Sequence, residues 1–212
     1  MCIRDSLYSR RARLTSPAGA EWAARICEAG TEVGGSEINL WASVYGPGYG
    51  TITWTTWHAD MTALEAWGDT MNGDEGFQAI VAEGGEFVEG GADDGLLQVI
   101  SGAPDPEADN QYVSGVTAVC AGGNIERAMT AGVEIAETAT KITGATTMFV
   151  RSMTGPYGGV GWLTGNRTIA EVEAGQDALA ADPSWLKLVD STGGAFVEDP
   201  SITVSTLYRK MA

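Results

Sequence analysis

Residues 35–50 read GSEINLWASVYGPGYG, and residues 144–158 read GATTMFVRSMTGPYG. A shift of about 109 positions aligns the two. It pairs Gly35 with Gly144, Leu40 with Phe149, Ser43 with Ser152, and Gly46-Pro47 with Gly155-Pro156. One residue is lost in the turn, after which Trp54 falls on Trp162. The register then runs through Leu64/Val172, Asp69/Asp177, Met71/Leu179, Asp74/Asp182 and Phe77/Trp185, and closes on FVE at 87–89 and again at 196–198. A colinear series of this length argues for a chain built from two copies of one unit.

Each copy carries the same predicted elements. Ile38–Tyr45 alternates, with Ile38, Leu40, Ala42 and Val44 on one side and Asn39, Trp41, Ser43 and Tyr45 on the other, so it is a strand. The glycine turn leads into a second strand, Thr51–His58. Before this pair come a strand near 7–15 and a helix striped by Trp22, Ile26, Ala29 and Val33. After it, Thr62 and Glu65 form a capping-box pattern opening a long helix, and a last strand is expected near Gly95–Ile100. The second copy repeats this. It has a strand at 112–121, a helix capped by Asn124, a hairpin of 147–153 and 159–164, a capping box at Thr168 and Glu171, a break at Asp182-Pro183, and a strand at 202–208.

The fold class is therefore α+β: two tandem ferredoxin-like (βαββαβ) repeats at 7–101 and 112–212, joined by the acidic, proline-rich linker 102–111. Trp41, Tyr45, Val150 and Met153 lie on the sheet face that the helices leave open. Packing sheet against sheet would bury it, at roughly 25 cal/mol per Å² of apolar area. Residues 1–6, MCIRDS, resemble a translated sequencing-adapter remnant of metagenomic fragments and are set aside, with Cys2.

Composition narrows the function. Against 28 acidic residues stand 12 basic ones, a net charge of −16, which repels nucleic acid and anionic membrane surfaces. No apolar run of about 18 residues predicts a membrane span. Cys27 and Cys120 fall on core positions without CxxC spacing, which suits a reducing cytoplasm and argues against disulfides and zinc.

The candidate site residues are few. The glycines of 46–50 join strand to strand and no lysine follows, so they make a hairpin turn and not a phosphate loop. His58 is the single histidine, with Asn166 at the matching place; it is a weak candidate for a general base, against a plain strand-end role. No catalytic residue is assigned beyond it, and no metal site is expected. Trp54 and Trp162 are kept in both copies and could line an aromatic pocket or fill a core. Tyr45 and Arg151 complete the pocket-lining candidates; Arg151 could hold a carboxylate or pair with Glu137. The basic run at 9–13 and Glu83, Glu86, Glu89 and Glu198 are expected to be solvated.

The duplicated unit, the interrupted second long helix and the tryptophan strand after the turn resemble the dimeric α+β barrel superfamily, over residues 7–210. NIPSNAP-like and antibiotic-biosynthesis-monooxygenase-like proteins belong there. The resemblance implies a usual homodimer fused into one chain, so that a monomer with an internal pseudo-dimer is expected, or a higher homo-oligomer. It implies three functions: a non-catalytic small-molecule-binding or interaction module, a cofactor-independent monooxygenase-like enzyme acting on a hydrophobic or aromatic small molecule, or a haem-binding protein using His58. No cofactor is otherwise called for.

Overall fold

The computed structural model describes residues 5–46, 50–105 and 107–212. Pro47, Gly48 and Tyr49 of the first glycine turn, and most of MCIRDS, lie outside the described residues. The chain packs as two compact units, one of residues 5–97 with Arg209–Ala212, the other of Gln98–Tyr208.

The first unit holds β1 (Ser6–Leu14), α1 (Gly19–Gly34), β2 (Ile38–Tyr45), β3 (Thr51–His58), α2 (Met61–Gly73), α3 (Glu75–Ala82) and the greater part of β4 (Val88–Ser101). Its hydrogen-bonded strand order is β4-β1-β3-β2. β3 runs antiparallel to both neighbours, with Trp54 opposite Arg10 and Leu40, and Thr56 opposite Tyr8 and Ile38. Trp22, Ala23, Ile26 and Cys27 of α1 pack on Leu40, Ile52 and Trp54 to form the core.

The second unit holds β5 (Tyr112–Val119), α4 (Ile125–Thr143), β6 (Thr147–Ser152), β7 (Gly159–Asn166), α5 (Ile169–Ala181), α6 (Pro183–Ser191) and most of β8 (Val204–Lys210). Its order is β8-β5-β7-β6. Phe149, Trp162, Val160, Ala118 and Ala136 make its core.

Local chemistry explains where elements stop. α1 and α4 end on Gly35 (φ 68°) and Gly144 (φ 75°), which adopt the left-handed conformation and donate their N–H to Thr31 O and Thr140 O. Those same threonines accept, through Oγ1, the N–H that starts the next strand, Ile38 and Thr147. Asp74 and Asp182 share one backbone geometry, φ −90° with ψ 110° and 111°. Each turns a helix corner and caps the next helix, Asp74 accepting from Phe77 N and Asp182 from Ser184 N and Trp185 N.

Several local expectations need correction. The long helix expected from Thr62 onward is two helices, α2 and α3, because Asp74 breaks it as Asp182 separates α5 from α6. Asp60, not Thr62, caps α2, accepting from Ala63 N at 2.9 Å. Asn124 does not cap α4 through its side chain, which donates to Gly194 O instead. Thr168 does cap α5, but Glu171 reaches back to Arg167 N. β4 starts at Val88, well before Gly95. Asp94 draws this early part onto β1, accepting from Tyr8 Oη and from two nitrogens of Arg10. The basic run is accordingly not all free: Arg10 pairs with Asp94 and Arg13 with Glu89. Glu83 pairs with Arg25.

Candidate functional site

The first unit holds a half-open cavity of about 550 Å³ between the sheet and its helices. Alternation explains the wall. Tyr8, Arg10 and Ala12 of β1 and Trp54 and Thr56 of β3 share the helix-facing side of the pleat. α1 adds Trp22 and Ile26, α2 adds Trp67 and Met71, and α3 adds Phe77 and Val81. Aromatic contacts set the indoles. Trp22 stands edge-on to Trp54 with centroids 5.5 Å apart, and Trp67 lies 5.9 Å from the Tyr8 ring. Their hydrogen bonds hold two of them fast: Trp54 Nε1 donates to Ala23 O at 3.0 Å, and Trp22 Nε1 to Ile80 O at 2.8 Å. Close approach needs a glycine on the helix side. A Cβ at Gly84 would lie 2.5 Å from Trp22 Cζ2, and one at Gly34 would collide with the Trp67 indole.

The polar groups of this wall are sparse. Arg10 and Tyr8 are both committed to Asp94, at 2.8 and 3.0 Å, and the Arg10–Asp94 pair is about half exposed. Burial pushes the Tyr8 phenol up to about 12. Arg10, through its hydrogen bonds, holds Asp94 below its usual carboxylate value. Gln78 Nε2 donates to Met71 O. Thr56, 2% exposed, has a hydroxyl with no hydrogen-bond partner among the described residues.

The structure scatters the residues expected from sequence. Trp54 is in the cavity wall. His58 lies two residues beyond Thr56 on the same side of β3, is 6% exposed, and faces Trp67 with ring centroids 5.1 Å apart, outside the lining. Desolvation lowers its pKa, and its Nε2 has no partner among the described residues. Tyr45 is 70% exposed at the end of β2. Arg151 is exposed on β6, where Nε donates to Gln98 Oε1 at 2.9 Å. Trp162 belongs to the second unit, its Nε1 donating to Gly132 O. Trp22, Trp67, Tyr8 and Thr56 are not among the site residues that the sequence singles out. Tryptophan at 67, with no tryptophan at the aligned position 175, is the available signal.

The second unit has an aromatic core of its own. Phe149, fully buried, lies 5.3 Å from Trp162, and Phe196 meets Trp162 edge-on at 5.5 Å. Its own cleft, about 490 Å³, runs along α4 and α6 beside Glu126, Arg127, Glu134 and Ser191.

Haem does not fit the residues present. His58 does not line the cavity, and its Nε2 is shut off from solvent, which leaves no open side on which a haem iron could be bound. Among the described residues, no group of three His, Cys, Asp or Glu is placed to hold a metal ion. No helix among them is long and apolar enough to cross a membrane.

Solved structures share this fold over almost the whole chain. A "putative monooxygenase" from Fusobacterium nucleatum subsp. nucleatum ATCC 25586 superposes with a TM-score of 0.73 at 10% identity, covering 100% of this chain and 94% of the other. A second "putative monooxygenase", from Lactobacillus acidophilus NCFM, gives 0.64 at 10% identity, covering 98% and 96%. An anthrone oxidase-like protein gives 0.65 at 12% identity, covering 99% and 92%. No family model and no curated protein sequence matches the chain. At such identities the likeness is one of fold.

Proposed function

We propose that the chain binds one planar, mainly apolar small molecule in the cavity of its first unit. The observation that carries this is the cavity itself: about 550 Å³ within a unit whose wall is made of Trp22, Trp54 and Trp67. Pockets of a few hundred Å³, apolar with sparse polar groups, are the usual form of a small-molecule site. The two units are proposed to be tandem ferredoxin-like repeats, fused where relatives of the α+β barrel class pair as separate chains. Their strand orders, glycine caps and aspartate corners support this. In the register that aligns Leu64 with Val172, Gly175 stands where Trp67 stands, so the second unit lacks that wall residue and one ligand per chain is expected.

A thermal-shift screen of planar aromatic compounds tests the proposal. A hit raises Tm in the wild type, and Trp54→Ala weakens it at least about tenfold, as loss of a central aromatic contact does. No hit, or a hit indifferent to Trp54→Ala, would sink the proposal.

A second reading is cofactor-independent oxygenation of that molecule, as a monooxygenase-like enzyme. The names borne by proteins of this fold support it. Substrate-dependent oxygen uptake separates it from plain binding. Two buried free thiols, Cys27 and Cys120, suit the cytoplasm proposed as its compartment.

A further inference from the structure

Thr56 and Thr164 each sit in the central strand of their unit, and only one of them is satisfied. In the second unit Thr164 lies opposite Thr147 of β6, and the two hydroxyls bond at 2.9 Å. In the first unit Thr56 lies opposite Ile38 of β2, whose side chain offers no partner. The Thr56 hydroxyl is closed off from solvent, so water does not satisfy it either. A buried hydroxyl left this way carries its desolvation cost uncompensated. Among the described residues Ser43 Oγ, Thr53 Oγ1, His58 Nε2 and Trp67 Nε1 are buried without a partner as well, and of these five residues Thr56 and Trp67 line the cavity.

We infer that Thr56 is the polar anchor of the cavity, and that the ligand is a neutral ring compound bearing a hydrogen-bonding oxygen or nitrogen on its edge. The inference rests on the small-molecule reading above. Rotation about Cα–Cβ exchanges the hydroxyl and methyl of a threonine, so Oγ1 can turn to a ligand seated against the wall and either donate or accept. Charge argues for neutrality. Arg10, the cation of the lining, is matched by a two-pronged contact to Asp94, and Tyr8 Oη is spent on the same carboxylate. A carboxylate ligand would find no free cation there, in a chain of net charge −16.

Calorimetric titration of the full chain with indole, indene and indole-3-carboxylate tests this. Indole and indene share a fused skeleton, and only indole has the N–H. Indole is expected to bind about fivefold tighter than indene, the worth of one neutral hydrogen bond. In Thr56→Val the ratio should fall to about one with indene affinity unchanged. In Ile38→Thr the new neighbour supplies the partner that Thr147 gives Thr164, and the indole preference should shrink as well. Equal binding of indole and indene by the wild type, or an indole preference that survives Thr56→Val, overturns the inference and leaves the cavity reading standing. Binding of neither overturns both. Indole-3-carboxylate binding more tightly than indole overturns the neutral class.

Discussion

Replacing each of two threonines by valine should have opposite effects on stability. Thr164→Val removes the 2.9 Å bond to Thr147, whose residue is 5% exposed, and strands the Thr147 hydroxyl. Breaking one side of a buried neutral pair costs about 1–3 kcal/mol; the partial burial of this pair points to roughly 1–2 kcal/mol. Thr56→Val removes a hydroxyl that has no partner among the described residues, so no bond is lost and a desolvation cost is relieved. Its effect should lie between neutral and about 1 kcal/mol of stabilisation. Both positions are strand residues and both changes are Thr to Val, so strand propensity cancels in the comparison. Urea unfolding followed by tryptophan fluorescence gives the midpoints at constant slope. For a chain of this size each kcal/mol moves Tm by about 2–4 °C, so the variants should separate by several degrees. If Thr56→Val destabilises as much as Thr164→Val, the Thr56 hydroxyl has an internal partner and the asymmetry between the units is void.

Two further outcomes concern the buried titratable groups. Burial lowers the His58 pKa below its ordinary 6.5, so below about pH 6.5 the unfolded chain takes up a proton that the folded chain refuses. Stability should be full above that pH and fall as pH drops below 6.5; His58→Asn, the residue found at 166, should flatten the slope, and identical slopes would contradict the assignment. Burial raises Cys27 to about 12 and also raises Cys120, so in a Cys2→Ser variant neither thiol should react with an aromatic disulfide reagent at pH 8 until denaturant is added.

Much of the backbone is legible in the sequence because it depends on local rules. The strands expected at Ile38–Tyr45 and Thr51–His58 are β2 and β3, with the same bounds. Gly35 and Gly144, aligned from sequence, both take the left-handed cap that ends a helix. The paired Asp74 and Asp182 are matched corners, although only the one before proline announces a break. Caps are less legible, since Asp60, two residues from a capping-box pattern, competes for the same orphan amides. The start of β4 is hidden because GGADDG reads as a turn, and only its contact with Tyr8 and Arg10 makes it a strand. The site is least legible. Trp54 stands out because the aligned register pairs it with another tryptophan, yet that same argument selects Trp162, which sits in the core of the second unit. The cavity is bounded by Trp22, Trp67, Phe77 and Val81 together with Trp54, residues far apart in sequence whose side chains meet only in space.

The most direct test is a crystal structure of the chain grown with indole. One indole per chain, in the first unit among Trp22, Trp54 and Trp67, is the expected result. A collapsed first-unit cavity, or indole seated only in the second unit, would contradict the account.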